Sequence, residues 1–121
     1  MSRDISLFAK DILEAIEKAE GFLSGMSYES YVADERTIYA VIKCIEIIGE
    51  AVKHIPISVR NKFRGIPWRD MSGMRDKVVH LYFGVKLDMV WLTVKEELPQ
   101  LKTDIKPLIE YLIKDDDSSV P

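Results

Sequence analysis

Cysteine and histidine are scarce in this chain of 121 residues, which has a single Cys44 and two histidines, His54 and His80. One thiol excludes an intramolecular disulfide and a cysteine-based zinc site. Two imidazoles exclude a histidine-rich metal centre. No apolar run approaches the roughly 18 residues that a membrane span needs. There is no Gly-rich phosphate loop, no G-x-S-x-G elbow and no H-E-x-x-H helix. No cofactor is expected, and membrane association is not. Met1-Ser2-Arg3-Asp4-Ile5 turns charged at once, which predicts no signal peptide and a cytoplasmic protein.

What remains is 47% apolar and 31% charged, the composition of one globular domain with one core. The net charge is −3, but its distribution is uneven. Residues 53–86 hold Lys53, Arg60, Lys62, Arg64, Arg69, Arg75, Lys77 and Lys86 against Asp70 and Asp76 alone, so this segment carries +6 and the rest −9. A basic middle on an acidic scaffold suits local phosphate binding with weak nonspecific attraction. The competing reading is a chance cluster on a solvated face.

Hydrophobic periodicity is helical nearly throughout. Ile5, Phe8, Ile12, Ile16, Ala19 and Leu23 predict one amphipathic helix over about residues 3–24, stopped by Ser24-Gly25. Ser27 is a candidate N-cap for a short segment to Val32. Ile38, Val41, Ile42, Ile45, Ile48 and Val52 mark a second long helix over about 34–54, closed by Pro56. Residues 57–73 are expected to be irregular or short-helical. A third helix is expected from about Met74 to His80 or a little beyond, ending before Gly84. A fourth starts near Asp88 with Met89, Val90, Leu92, Val94 and Leu98 as its apolar face, and Pro99 kinks or restarts it. Leu101, Ile105, Leu108, Ile109 and Leu112 carry the last stretch. No alternating strand pattern is visible. The fold class is therefore all-α, an antiparallel four- to five-helix bundle over residues 1–113, with 114–121 an acidic tail expected to be disordered.

Glu46, Glu50 and His54 stand at successive i, i+4 positions and could in principle bind a metal, although such spacing usually forms a solvated helix face. Cys44, among Ile42, Ile45 and Ile47, reads as a small buried hydrophobe. Trp68 and Trp91 read as core anchors. Gly73-Met74-Arg75-Asp76-Lys77-Val78-Val79-His80-Leu81-Tyr82 is harder to dismiss, because it gathers a guanidinium, a carboxylate, an imidazole and a phenol within eight residues. On a regular helix Asp76 and His80 share a face, so the carboxylate could orient the ring. Arg75 and His80 then lie about 140° apart, and a distorted helix end or a second subunit must bring them together. A surface ion pair with a packed tyrosine is the plainer alternative.

Arg75-x-x-x-x-His80-x-Tyr82 resembles the R-x4-H-x-Y motif of HEPN domains, specifically of the HepT-like toxin family. Glu46-Ile47-Ile48-Gly49-Glu50-Ala51, Ile66-Pro67-Trp68-Arg69, Gly73-Met74-Arg75 and Val90-Trp91 followed by Leu98-Pro99 resemble the family's other recurrent segments, in order, over about residues 4–112. The resemblance implies a HEPN-type bundle that dimerises through the motif face. It also implies a metal-independent endoribonuclease acting in a toxin–antitoxin pair. Carried onto this sequence, His80 would be general base and acid, Arg75 the phosphate holder and Asp76 an orienting group. Arg69, Lys77 and Arg64 would add weaker RNA contacts. Tyr82 matches the tyrosine that an MntA-type nucleotidyltransferase antitoxin modifies with AMP, so the expected partners are RNA, that antitoxin and a second copy, in a homodimer or a larger hetero-oligomer with the antitoxin. Two other classes compete: a non-catalytic helical partner of a nucleotidyltransferase, and a structural bundle that binds an acidic surface. Such a bundle should tolerate His80→Ala, whereas a nuclease should not.

Overall fold

The computed structural model describes residues 4–80 and 84–118, with side chains described throughout these except at Val79, His80 and 115–118. Three long helices frame it: α1 (Ile5–Leu23), α3 (Glu35–Val52) and α8 (Leu98–Ser118). Helix α1 packs on both α3 and α8 and so forms the centre of the frame. The expected stripes lie at this contact, with Ile12, Ile16, Ala19 and Leu23 of α1, Val41, Ile45, Ile48 and Val52 of α3, and Leu101, Ile105, Leu108 and Leu112 of α8 all buried. The fold class read from periodicity is the observed one.

Local chemistry starts and stops the first elements as their residue types require. Asp4 and Asp34 cap α1 and α3, accepting from the backbone N–H groups of Ser6 and Thr37. Hydrogen bonding to Thr37 holds the Asp34 carboxyl below the usual carboxylate range. Gly25 follows α1 with φ +76°, the left-handed turn expected of it. Ser27 caps α2 (Tyr28–Val32) through a reciprocal box with Ser30. Tyr31 of α2 is fully buried, and its hydroxyl donates 2.8 Å to the carbonyl of Leu87, the first residue of α7 (Leu87–Leu92). Burial pushes that phenol up to about 12.

Helix α3 stops at Val52, before Pro56, and the proline instead precedes α4 (Ile57–Arg60). The two carbonyls near this chain reversal are satisfied by one side chain. Arg60 donates from Nη2 to Val52 O at 2.7 Å and from Nε to Ile55 O at 2.8 Å. A cation at a helix C-terminus also meets the negative end of its dipole. Helix α5 (Trp68–Ser72) follows, with the Trp68 indole donating to Phe63 O at 3.1 Å. Trp68 and Trp91 are half-buried against the core, in keeping with their reading as anchors.

Two expectations need correction. Helix α6 (Met74–Val78) does not reach His80. Val79–His80 forms a short strand, β1, paired antiparallel with β2 (Gly84–Val85), with Val79 opposite Val85 and His80 opposite Gly84. The Lys86 N–H donates 2.8 Å to Val78 O and extends the ladder. Val78-Val79 and Val85 are β-branched, and Gly84 has φ +82°, a conformation that closes hairpins and that other residues adopt at a cost. Strand propensity and a turn glycine therefore override the helical spacing.

The second correction concerns the last helix. A helix does restart at Pro99, the second residue of α8, but a wider turn that the spacing does not announce comes before it. Residues Thr93–Glu97 widen into a π turn in which the Leu98 N–H bonds Thr93 O, and α8 runs on from Leu98. Pro99 lacks the N–H that would bond Lys95, and its ring would crowd that carbonyl in an ordinary helix, so the wider turn accommodates both. Val90, Val94 and Leu98 remain buried along this join, while Leu92, about 200° around from Val90, is 44% exposed. Pro107 lies inside α8 without ending it.

Candidate active site

Helix α6 is one and a half turns long, and its position is set by α3. A Cβ built at Gly49 would stand 3.5 Å from the carbonyl oxygens of Met71 and Ser72. The smallest residue therefore lets the end of α5 lie against α3, where anything larger than alanine would push it away. That approach brings Arg75, at the start of α6, to the side of α3. Its Nε lies 3.6 Å from Oε1 of Glu46, and its Nη1 lies 3.4 Å from Oδ1 of Asp76. Both distances describe loose ion pairs, not close hydrogen bonds. The guanidinium is thus oriented between two carboxylates while its donors stay available, and its side chain is 38% exposed. Glu46, Gly49, Glu50, Lys53, Ser72, Arg75 and Asp76 line an open groove of about 330 Å³ here.

Arg75 and Asp76 are therefore together. The expected Asp76–His80 alignment on one helix does not form, because β1 carries His80 away from the α6 spiral and Asp76 turns to Arg75. The His80 side chain and all of Tyr82 lie outside the described residues. Lys77 leaves the group as well. Its ammonium is 3.1 Å from Oε1 of Glu97, at the end of the π turn, across a second groove of about 520 Å³ that includes Met71, Met74 and Leu101. Arg64 and Arg69 share a third groove, of about 500 Å³, with Ile57, Arg60, Asn61, Trp68 and Ser72. Ser72 lines both this groove and that of Arg75.

Glu46 is the member of the site that spacing does not reveal, since 29 residues separate it from Arg75 and no local pattern links them. Its only signal is its place at the head of the Glu46–Ala51 segment. The two carboxylates and imidazole at 46, 50 and 54 have a different fate, because the His54 ring stacks on Phe8 at 4.3 Å with the planes 8° apart. Cys44 is buried, and burial pushes its thiol up and away from a reactive thiolate.

Comparison with known proteins identifies the family. The family described as Ribonuclease HepT-like matches residues 12–108. The chain belongs to the HepT-like ribonuclease family. A Methanocaldococcus jannaschii protein provisionally named an RNase is 42% identical over 118 residues, covering 98% of both chains. A second from the same organism, also provisionally named an RNase, is 44% identical over 110 residues, 91% of this chain and 95% of the relative. The Thermococcus cleftensis protein named Probable ribonuclease HepT is 44% identical over 108 residues, 89% of this chain and 98% of that one. No solved structure matches the chain significantly. Arg75, with its two loose pairs and open groove, lies within the matched residues.

Proposed function

We propose that this protein is a metal-independent endoribonuclease, the toxin of a toxin–antitoxin pair, acting through Arg75, His80 and Tyr82. Membership of the ribonuclease family over residues 12–108 carries the reading, and the exposed guanidinium of Arg75 supports it. His80 takes the proton of a ribose 2′-OH, and the freed oxygen attacks the adjacent phosphorus. The bond to the 5′ oxygen breaks, that oxygen leaves with a proton from the imidazolium, and a 2′,3′-cyclic phosphate remains. Arg75 holds the phosphate and meets the charge that builds on its oxygens, with a planar donor fork suited to the task. Asp76 and Glu46 fix the guanidinium before substrate arrives. Two copies of the motif face each other across a homodimer. A nucleotidyltransferase antitoxin silences the site by placing AMP on Tyr82, whose bulk and negative charge compete with RNA for Arg75.

The test is incubation of the purified protein with mixed cellular RNA in EDTA, beside Arg75→Ala and His80→Ala variants of unchanged circular dichroism. Cleavage by the parent, reduced about 10²–10⁴-fold in each variant, is the expected outcome. A parent that leaves RNA intact, with Tyr82 unmodified by mass spectrometry, would instead indicate a binding partner without catalysis.

A further inference from the structure

A surface of one charge sign lies beside the Arg75 groove, between α4 and α5. Arg60, Arg64 and Arg69 line it with Asn61 and the half-buried Trp68, and no carboxylate lines it. The three cations differ in what holds them. Arg60 is fixed by its bonds to Val52 O and Ile55 O, and its guanidinium lies 5.7 Å from the centre of the Trp68 ring. Arg64 and Arg69 are exposed, and among the described residues neither guanidinium has an ion-pair or hydrogen-bond partner. Lys77, by contrast, is already matched by Glu97. At one side of the groove Ile57 is 72% exposed, more than any other large apolar side chain among the described residues.

We infer that this groove is a track for single-stranded RNA leading into the Arg75 groove past Ser72, an assignment that rests on the ribonuclease reading above. Arg64 and Arg69 take successive phosphates, Arg60 supplies a fixed positive field, and Ile57 and the Trp68 edge support an unstacked base. A polyanion suits three cations without a facing acid. Single strands are held by a basic groove with apolar or aromatic faces beside it. The track also resolves the charge distribution of the chain. Lys77, expected among the RNA contacts, does not belong to it, and Arg60 does.

A fluorescent single strand of about twelve nucleotides, within the span one small domain tracks, tests this by anisotropy titration. With 2′-O-methyl sugars it cannot be cut by 2′-OH attack, so the unaltered protein can be titrated. The Arg64→Ala/Arg69→Ala double variant should bind at least about tenfold more weakly. Its salt slope should fall by about 1.4, from about 0.7 for each lost phosphate contact to a single strand. Arg64→Lys/Arg69→Lys should restore the slope, and Lys10→Ala/Lys106→Ala, which removes the same charge from α1 and α8, should stay within about twofold of the parent. Equal affinity and slope in the alanine variant, or no binding by the parent, would overturn the track, the former leaving the patch to an acidic protein surface. Failure of the parent to cut ordinary RNA, with binding still lost in the alanine variant, would overturn the nuclease reading and leave the track intact.

Discussion

The helical frame and the segment between α3 and α7 obey different rules. In α1, α3 and α8 the decisive residues are aliphatic, fully buried and spaced by three and four. From residue 53 to 86 the elements are four or five residues long or shorter, and the decisive side chains are half-exposed arginines and carboxylates held across the fold. Burial gives the first region its stability and fixes its shape. The second uses that shape as a support, and can expose charge because its own burial contributes less. Separate selection of stability and chemistry follows from this division.

A large aliphatic deletion in the frame is the severest challenge to that division. Ile45→Ala should lower unfolding stability by about 2–5 kcal/mol in urea titration, while the folded fraction keeps its turnover. A comparable loss of turnover in the folded fraction would show that frame and site are coupled. Glu46→Gln challenges it from the other side. It should lower kcat up to about fivefold without raising KM, since a part-exposed orienting pair is worth at most about 1 kcal/mol, and leave the urea midpoint in place. A raised KM with kcat unchanged would mean that Glu46 does not position Arg75.

Tyr31 of α2 ties down the start of α7, just beyond the second region, through the Leu87 carbonyl, and pH reads that tie. The phenol titrates near 10.0 when unfolded and at about 12 in the fold, so the folded state favours its neutral form. This contribution is complete below about pH 10 and is lost as pH rises to about 12. Tyr31→Phe should cost about 1 kcal/mol at neutral pH and flatten the alkaline fall in melting temperature. The smallest effect belongs to Lys18, which pairs with Glu14 at 2.8 Å on the solvent face of α1. Lys18→Ala should move the melting temperature by less than about 2 °C. A larger shift would mean that surface charge shares in holding the frame.

Sequence was informative where a local rule governs and silent where contacts are distant. The stripes of α1, α3 and α8 were legible because each residue's burial follows from its own spacing. Ser27 was legible because capping is decided within four residues. The α6–β1 boundary was misread because Asp76 and His80 fit a helical spacing, while Val78-Val79 and Gly84-Val85 carried the stronger β signal. Neither Glu46 beside Arg75 nor Glu97 beside Lys77 was visible, since each pair spans 20 residues or more and depends on how helices dock.

The π turn has a consequence for how the chain tolerates change in length. It holds one residue more per turn than an α-helix does, while Val90, Val94 and Leu98 all stay buried along it. Deleting one residue of Thr93–Glu97 would return the wide turn to an ordinary α turn and leave Leu101, Ile105 and Leu108 close to their present faces, whereas a one-residue deletion within α8 itself would turn everything beyond it through about 100°. Loss of a residue should therefore be absorbed at this turn, where the chain carries one to spare, and should undo the bundle anywhere further along α8.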